Sequence, residues 1–439
     1  MVETAGTDPR LALIILDGLG DLPHPDTGGL SPVVAARTPN LDHLLTLGQS
    51  GQVVVIGPGV APESDAGVLA LLGYDPVRDS PGRGVLEAEG VGISLGSGDV
   101  ALRLNFATID GDGQVLDSRV GRSLGTAEAA ELARSLTEAD TLGPEGIRAE
   151  VRATVGHRGV LWLHPVSGDR LSEQVSNSDP FYEKVGGMGQ ARTALQPRLL
   201  VVQPLDQSPE AARTAHAINE FTMRAGKILA GHRVNARRAL AGKLIANGIL
   251  LRNAGRRIPG VPALFTQKYG IEGAAVTEMP VERGIARLLG LADLYVGPMG
   301  PDRAAGFRER ALATRQALEK YPFVYVHLKG PDEPGHDGNA RLKQEIVEAI
   351  DASFFGPFMS GLDWSRTRIA ITADHATPCI RKGHSDDPVP LLMVGERVPP
   401  PSASAALKFG DSTSAHGDLG TRRGNELMGL LRSPRKETQ

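Results

Sequence analysis

The stretch LALIILDGLGD at residues 11–21 is the clearest fold signal in this chain of 439 residues. Six apolar residues, 11–16, run without interruption into Asp17 and a glycine. A short, continuously apolar run of this kind is typical of a strand buried on both faces of a parallel sheet. Asp17 would then lie at the carboxyl end of that strand, where open α/β sheets gather their ligands.

Outward from this strand, short apolar runs alternate with helical patterns. The predicted strands cover residues 11–16, 52–56, 323–328, 369–372 and 389–394, and the predicted helices cover residues 38–47, 64–72 and 340–355. Thr38 and Pro39 are expected at the N-cap and first position of the first helix. Buried strands separated by helices predict an α/β core with a mainly parallel sheet flanked by helices.

The middle of the chain has a different pattern. Residues 100–109 and 159–166 read as half-buried strands, and residues 127–136 and 211–229 read as helices. No closely spaced metal-ligand residues occur there. We therefore expect a smaller α/β domain inserted at residues 80–255, within a core formed by residues 1–79 and 256–439.

Composition narrows the class of protein. Hydrophobic residues make up 41% and charged residues 22%, as in ordinary globular proteins. No Lys/Arg block stands beside interleaved aromatics, so nucleic acid is not an expected partner. The single cysteine, Cys379, excludes an intramolecular disulfide and fits a reducing compartment. No apolar run approaches the roughly 20 residues of a membrane span, and residues 1–16 lack a signal-peptide pattern, so we expect a cytoplasmic protein.

Acidic and histidine residues follow the predicted strands at 323–328 and 369–372. Asp332 and His336 lie in KGPDEPGH (329–336), where Pro334 and Gly335 predict a ligand loop instead of a helix. Asp374 and His375 follow the strand at 369–372, and His384 comes nine residues after His375.

Together with Asp17, these clusters supply three aspartates and three histidines. This donor set suits Mn²⁺, Co²⁺ or Zn²⁺ better than Ca²⁺ or Mg²⁺ alone. Two such ions can clamp the attacking and leaving oxygens of an in-line displacement. The sequence therefore predicts a two-metal site, although for any one of these residues by itself a turn or helix cap is the favoured interpretation.

Ser64 is the candidate nucleophile. It stands at the start of a predicted helix in APESDAGVLALLG (61–73), after a loop rich in proline and glycine. Such a helix start attracts anions, and metal coordination would activate the weakly nucleophilic hydroxyl. The same position also suits an ordinary N-cap serine. The residues alone leave both roles open.

Four arginines are candidate binders of phosphate or carboxylate, because the planar guanidinium binds both groups bidentately. Arg103 interrupts the strand ALRLNF, and Arg252 interrupts the apolar run GILLRNAG. Arg119 and Arg122 occur together in the loop LDSRVGR. A solvated surface role is the alternative for each arginine.

Several segments, in this order, resemble the archaeal-type 2,3-bisphosphoglycerate-independent phosphoglycerate mutases of the alkaline phosphatase superfamily. They include LALIILDGLGD, TPNLDHLL, ESDAGVLALLGYDP, GRGVLEAEGVGI, HLKGPDEPGHDGN, TADHATP and GHSDDPVPLLM. The resemblance runs from residue 11 to about residue 430. It implies an alkaline-phosphatase-like core and an inserted substrate-binding or lid domain.

The resemblance also implies site roles. One divalent metal, Mn²⁺ in the first place with Co²⁺, Zn²⁺ or Mg²⁺ as alternatives, would bind Asp332, His336 and His384. A second would bind Asp17, Asp374, His375 and the Ser64 hydroxyl. The residues implied to bind a small phosphoglycerate substrate are Arg103, Arg119, Arg122, Arg252 and Arg283.

This chain departs from the family pattern at three positions. Arg283-Gly284 stands where the family usually has Lys-Gly, and arginine cannot shuttle a proton as lysine can. Phe181 and Val68 stand where histidines are common. The predicted metal ligands are unaffected.

The resemblance implies a mutase that interconverts 3-phosphoglycerate and 2-phosphoglycerate through a phosphoserine, without 2,3-bisphosphoglycerate. A phosphatase or another phosphotransferase on the same metal core is the first alternative. A non-catalytic metal- or phosphate-binding protein is the second. The sequence leaves a homo-oligomer open.

Overall fold

The computed structural model describes residues 9–139, 146–166, 168–185, 188–191, 197–402 and 408–433. The chain divides into two compact units, one formed by Met1–Asp79 with Ala263–Gln439 and the other by Ser80–Pro262. The second boundary thus follows Pro262, whereas the predicted one followed residue 255. The substrate-binding or lid role of the inserted unit stays a prediction.

The strands of the described residues are numbered in chain order. They are β1 Arg10–Leu16, β2 Gln49–Val54, β3 Val100–Ile109, β4 Val115–Asp117, β5 Ile147–Ala153, β6 Arg158–Pro165, β7 Tyr182–Val185, β8 Met188–Ala191, β9 Gly248–Gly255, β10 Gly273–Thr277, β11 Ala292–Tyr295, β12 Phe323–Leu328, β13 Thr367–Thr372, β14 Val389–Gly395 and β15 Gly420–Arg423.

The α-helices of the described residues are numbered in the same way. They are α1 Pro32–Ala35, α2 Pro39–Leu47, α3 Ser64–Leu71, α4 Arg83–Gly90, α5 Thr126–Ala139, α6 Pro209–Ala230, α7 Arg233–Leu240, α8 Phe265–Tyr269, α9 Pro280–Leu288, α10 Arg303–Lys320, α11 Asp332–Asp337, α12 Ala340–Ile350, α13 Gly356–Met359, α14 Asp411–Ser414 and α15 Leu427–Arg432.

The first unit is built on an eight-stranded sheet in the order β11-β10-β12-β1-β13-β14-β2-β15. Its neighbouring strands pair in parallel except for β14, which is antiparallel to both β13 and β2. All six residues of β12 and of β13 are buried, as continuous apolar strands require. The predicted α/β fold with a mainly parallel sheet is confirmed.

Two predicted elements of this unit differ from the structure by three residues or more at one end. β2 begins at Gln49 instead of residue 52, because Gln49 already pairs with Met393 of β14. The helix expected over 340–355 ends at Ile350, and a π-helical turn follows at Asp351–Phe355.

Asp351 in that turn explains how α2 begins. Thr38 and Pro39 occupy the predicted N-cap and first positions, but the Thr38 side chain makes no capping hydrogen bond. The Asp351 carboxylate instead accepts the backbone N–H groups of Asn40 and Leu41, at 3.2 and 2.8 Å. These are two of the donors that a helix start leaves without an intrahelical partner.

The inserted unit contains an antiparallel sheet in which β3 is central. β3 pairs with β4, β6 and β9, and β5 pairs with β6. β3 was expected to be half-buried, but nine of its ten residues are buried. Both faces are covered: Leu102, Leu104 and Phe106 pack into the main core of this unit, and Ala101 packs with residues of α4. Arg103 alternates with Leu102 and Leu104 and so faces the α4 side.

No helix in the described part of the chain is long and apolar enough to cross a membrane.

Candidate metal centre

Three adjacent parallel strands bring the predicted ligands of the first unit together. β1 lies between β12 and β13, with Leu16 paired to Leu328 and Ile15 paired to Thr372. The three strands therefore end at the same edge of the sheet. Asp17, the loop after β12 and the loop after β13 meet at this edge, as the sequence predicted.

The first set of potential ligands is the Asp332 group, formed by Asp332, His336 and His384. One ligand atom from each residue lies within 4.8 Å of the others. Nε2 of His336 and Nε2 of His384 are both 3.5 Å from Oδ1 of Asp332. This geometry fits one divalent ion held by a carboxylate and two imidazoles.

The loop predicted for Asp332 and His336 is wrong, because the segment forms the short helix α11. Pro334 is tolerated because it lies in the first turn, where a backbone N–H has no intrahelical partner to lose. Gly338 ends the helix in the left-handed conformation, with φ 74°. The i, i+4 spacing of Asp332 and His336 consequently places both side chains on one helical face.

The second set is the Asp17 group, formed by Asp17, Asp374 and His327, whose ligand atoms also lie within 4.8 Å of one another. His375 adjoins it, with Nε2 at 3.6 Å from Asp17 Oδ1 and 3.5 Å from Asp374 Oδ2. Nε2 of His327 lies 3.7 and 3.3 Å from the same two oxygens. Three of these four residues were predicted, whereas His327 was not.

Each carboxylate of the Asp17 group has one oxygen held by the protein and one that faces the histidines. Gly18 N donates to Asp374 Oδ1 at 3.1 Å, and the Lys329 ammonium lies 3.3 Å from Asp17 Oδ2. Among the described residues, Asp17 Oδ1, Asp374 Oδ2 and His327 Nε2 are buried without a hydrogen-bond partner. Buried polar atoms rarely lack partners, so these three atoms fit a bound cation. The two groups together suggest divalent metals.

Lys329 dominates the electrostatics of the Asp17 group. Burial alone would raise the pKa of Asp17, but Lys329 and the neighbouring histidines outweigh it and hold this pKa well below its usual range. Burial also opposes ionisation of Glu282, but the ammonium of Lys329 and the imidazole of His327 lower the pKa of Glu282 to about 2. Both carboxylates are therefore charged at neutral pH.

Ser64 lies beside the Asp17 group. Its Oγ is 3.3 Å from Nε2 of His375. Ser64 is the first residue of α3, and the N-cap position belongs to Glu63, so the N-cap alternative for Ser64 is wrong. Gly67 brings α3 close to the ligand loop, since a Cβ at this position would lie 2.2 Å from the Asp374 carbonyl oxygen.

A buried network lies behind the ligand loops. The fully buried Lys343 ammonium is 2.8 Å from Asp21 Oδ2 and donates to the carbonyls of Gly20 and Thr377, at 3.2 and 2.9 Å. Asp411 accepts hydrogen bonds from Asp21 N and from the Ser31 hydroxyl. Lys343 thus joins the loop after β1 to the loop after β13.

Three of the four predicted arginines of the inserted unit, Arg103, Arg119 and Arg252, belong to a cationic cluster. Arg103 and Arg252 are directly paired across β3 and β9, although like charges at such positions repel. Arg103 lies 3.4 Å from Glu87, and Arg252 forms a buried ion pair with Asp179 and stacks on Tyr182, 3.9 Å from the ring centre. Burial, reinforced by nearby arginines, lowers the pKa of Arg103 to about 9 against the opposing charge of Glu87.

The charge environment of His157 identifies further members of this cluster. Its burial and, next, the charges of nearby arginines lower its pKa to about 3. We define the arginine cluster as the arginines whose charges act on His157 or on one another in this way: Arg83, Arg103, Arg119, Arg158 and Arg252. An excess of cations of this kind suits a small, highly charged anion.

The loop that carries Arg119 and Arg122 has an unusual backbone. Val120, Gly121 and Arg122 all adopt left-handed conformations, with φ of 53°, 59° and 52°. This conformation is costly for a β-branched valine, and such strain is concentrated at functional sites. Arg119 and Arg122 also line a cavity of about 400 Å³ in the inserted unit, with Phe181 on its wall.

Arg283 is engaged elsewhere in the first unit. Its guanidinium lies 3.0 Å from Asp293 and stacks on Tyr295, 4.0 Å from the ring centre. Its role in substrate binding stays a prediction.

Curated relatives match nearly the whole chain. A 2,3-bisphosphoglycerate-independent phosphoglycerate mutase from Aeropyrum pernix is 43% identical over 415 residues, which are 94% of this chain and 96% of the relative. The chain belongs to the 2,3-bisphosphoglycerate-independent phosphoglycerate mutase family. The predicted resemblance is confirmed. A member of this mutase family from Pyrococcus abyssi is 37% identical over 421 residues, covering 95% of this chain and 96% of the relative.

A family model and solved structures agree with the assignment. The 2,3-bisphosphoglycerate-independent phosphoglycerate mutase model matches residues 46–235. The solved cofactor-independent phosphoglycerate mutase from Thermoplasma acidophilum is 31% identical, with a TM-score of 0.61 over 96% of this chain and 98% of that one. A solved Pyrococcus horikoshii protein is 29% identical, with a TM-score of 0.77 over 98% of this chain and 99% of that one.

Sequence reasoning missed several residues of the candidate metal centre and of the arginine cluster. His327 stands inside the apolar strand FVYVHL, and a lone histidine in such a strand is a detectable signal. Lys329 directly follows the strand and could have been found by its place at the sheet edge. Glu282, Arg83 and Arg158 have no local pattern that sets them apart, and only the fold brings them to their sites.

Proposed function

We propose that this chain is a phosphoglycerate mutase that interconverts 3-phosphoglycerate and 2-phosphoglycerate without 2,3-bisphosphoglycerate. The observation that carries the proposal is the position of Ser64, whose hydroxyl lies 3.3 Å from His375 Nε2, the nitrogen that adjoins the Asp17 group. Membership of the mutase family supports the substrate, and the position of Ser64 supports a covalent route.

The reaction would take two in-line transfers. Ser64 Oγ forms a bond to phosphorus as the bond to the C3 oxygen of the substrate breaks, which gives phosphoserine and glycerate. The serine proton ends on the C3 oxygen. The C2 hydroxyl of the same glycerate then takes the phosphoryl group, and its proton returns to Ser64.

Two divalent ions fit the proposed chemistry, with Mn²⁺ as the preferred metal. Asp332, His336 and His384 would hold one ion, and Asp17, Asp374, His375 and the Ser64 hydroxyl would hold the other. When bound, the ions lower the pKa of the serine hydroxyl and neutralise charge on the transferred phosphoryl group. The protein itself fixes the direction in which the ligand atoms point. It also holds Ser64 at the start of α3.

The arginine cluster would bind the anionic groups of the substrate. The like charges of Arg103, Arg158 and Arg252 repel one another, and a bound phosphate or carboxylate would relieve this repulsion. We further propose that the reaction takes place in the cytoplasm, where a chain with one cysteine needs no oxidising environment.

A phosphatase acting on another small phosphate ester is the main alternative, because the same serine and metals would serve it. The test is phosphorus NMR of the purified protein with 3-phosphoglycerate and Mn²⁺, without 2,3-bisphosphoglycerate. We expect 2-phosphoglycerate to accumulate with little inorganic phosphate. Predominant release of phosphate would favour the phosphatase, and the absence of turnover with any divalent metal would favour a non-catalytic binding protein.

A further inference from the structure

His327 occupies a position that neither the predicted ligand set nor the proposed mechanism uses. It is the penultimate residue of β12 and pairs with Ile15 of β1, so it lies one residue before the sheet edge where the ligands gather. Its side chain is buried, with 1% of its surface exposed. A histidine in such a place needs polar partners on both ring nitrogens.

The three predicted histidines share one orientation. In each, Nδ1 faces an acceptor of the protein: the Thr377 hydroxyl oxygen at 3.0 Å from His375, the Pro62 carbonyl at 2.8 Å from His384, and the Lys382 carbonyl at 3.4 Å from His336. The Thr377 hydroxyl acts as an acceptor there because its own proton goes to Asp332. An acceptor beside Nδ1 keeps the proton on that nitrogen and leaves the Nε2 lone pair for a metal.

His327 has the same orientation. Its Nδ1 faces Oε1 of the buried Glu282 at 3.0 Å, and its Nε2 faces the unpaired oxygens of Asp17 and Asp374. Neither ring nitrogen makes a hydrogen bond of regular geometry among the described residues, so Nδ1 is held beside Glu282 by the ion pair while Nε2 faces the two oxygens. A carboxylate behind the ring and a ligand group in front of it is the arrangement that orients metal-bound histidines.

Glu282 also holds the nearest competing cation. Lys329 Nζ lies 2.6 Å from Glu282 Oε1 and 3.3 Å from Asp17 Oδ2. The ammonium therefore contacts the Asp17 oxygen that faces away from the histidines, and the other oxygen remains available. One buried carboxylate thus sets the position of both the imidazole and the ammonium.

We propose that His327 is an additional protein ligand of the metal assigned above to Asp17, Asp374, His375 and the Ser64 hydroxyl, and that Glu282 is the positioning residue for its ring. The inference rests on the two-metal part of the proposed function and is independent of the substrate. It gives the Asp17 group two carboxylates and two imidazoles, a donor set suited to Mn²⁺, Co²⁺ or Zn²⁺.

Cobalt provides a direct count of the coordinating histidines. In the paramagnetic proton NMR spectrum of the protein loaded with two equivalents of Co²⁺, each histidine bound through Nε2 contributes a strongly shifted, exchangeable Nδ1–H signal. We expect four such signals in the wild type, and three in His327→Gln. The exposed His43 supplies the matched control, since His43→Gln should keep all four.

Metal affinity provides the second readout. Titration of metal-free protein with Co²⁺ should show that His327→Gln binds one equivalent as tightly as the wild type and the other at least about 10-fold more weakly. Glu282→Gln retains an acceptor for Nδ1, so it should keep four signals and weaken the same equivalent by about 10- to 100-fold. In the wild type, three signals with both metals bound would overturn the proposal. Unchanged affinity in His327→Gln would overturn it as well.

These outcomes are separate from those that test the mutase. A protein with four signals that releases phosphate instead of forming 2-phosphoglycerate keeps His327 as a ligand and loses the mutase assignment. A mutase with three signals does the reverse. Should His327→Gln not fold, the signal count of the wild type alone decides the matter.

Discussion

Ser64 Oγ and His375 Nε2 lie 3.3 Å apart, although 311 residues separate them in the chain. The contact joins the first turn of α3 to the loop after β13. The same His375 nitrogen lies 3.6 Å from Asp17 Oδ1 and 3.5 Å from Asp374 Oδ2, and the N-cap position of α3 belongs to Glu63 instead of Ser64. The proposal that Ser64 is the nucleophile rests on the position of this one oxygen.

Ser64→Ala should therefore abolish turnover without unfolding the protein. The change removes no capping bond, so we expect the free energy of unfolding to fall by no more than about 0.5 kcal/mol. Activity should fall by roughly 10³-fold or more, because the phosphoryl acceptor is lost. Wild-type enzyme quenched during turnover should carry one phosphate on the peptide that contains Ser64, as measured by mass spectrometry.

The matched control is Ser208→Ala. Ser208 is a true N-cap, accepting the Ala211 N–H at 3.2 Å. Its removal should cost about 1 kcal/mol of stability and leave turnover intact. An active Ser64→Ala variant, together with an unphosphorylated wild-type peptide, would end the covalent mechanism.

Removal of a ligand histidine should empty one of two metal sites. His384→Gln loses a nitrogen 3.5 Å from Asp332 Oδ1, so about one metal equivalent should be missing after dialysis, by elemental analysis. His375→Gln should lose the other equivalent. The exposed His43→Gln should keep both, whereas two equivalents in His384→Gln would contradict its assignment as a ligand.

Gly67→Ala should damage the centre through the backbone. The new Cβ would lie 2.2 Å from the Asp374 carbonyl oxygen, so α3 or the ligand loop must move. We expect a loss of at least about 1 kcal/mol in thermal unfolding, with reduced turnover. Gly429 is the helical control, since nothing lies within 4 Å of its Cβ position, and Gly429→Ala should stabilise by about 0.5–1 kcal/mol. Equal changes in stability and turnover for the two variants would show that α3 does not pack closely against the loop that carries Asp374.

Deprotonation of Asp411 should make the protein less stable as the pH rises from about 4 to about 6. Burial raises the pKa of Asp411 to about 6, whereas an unfolded aspartate titrates near pH 3.9. In this window the folded state holds a proton that the unfolded state has lost, so the free energy of unfolding decreases with pH. A pKa difference of about two units between the folded and unfolded states corresponds to about 3 kcal/mol in the free energy of unfolding. Denaturant unfolding of Asp411→Asn should lack this slope, and curves that run parallel to the wild type would exclude Asp411 as its source.

Arg119→Gln should weaken substrate binding without affecting the fold. Arg119 is exposed in the strained loop and lines the cavity of the inserted unit. We expect KM for 3-phosphoglycerate to rise by about 10-fold or more while the free energy of unfolding stays within about 0.5 kcal/mol. Arg148, exposed on β5, is the control, and Arg148→Gln should change neither quantity. A KM equal to that of the wild type would remove Arg119 from the substrate site.

The predictable part of the fold is the part with a strong local pattern. Residues 11–16 and 323–328 read correctly as strands because burial on both faces leaves a continuous apolar run. Asp17 and Asp374 could then be brought together by topology, since adjacent parallel strands end at one edge. β3 was misread as half-buried because α4, which covers its second face, has no sequence signal linking it to β3.

The missed parts depend on tertiary context. The proline in α11 argued against a helix, but the first turn has no hydrogen bond for it to break. His327 was passed over because an apolar strand reads as core, and Glu282 because nothing near it in sequence indicates its partner on β12. A single sequence does not show which charged residues pair when they lie far apart in the chain.

The central strand of the sheet has a consequence for how the chain is made. β1 ends at Leu16, whereas its two partners, β12 and β13, start at residues 323 and 367, so β1 is synthesised some 300 residues before either partner. The inserted unit, by contrast, draws its strands from a continuous segment and can fold while the rest is still being translated. The apolar segment RLALIIL must therefore stay shielded for some 300 residues of elongation, at roughly 5–20 residues per second, which makes it a natural client of chaperones at the ribosome.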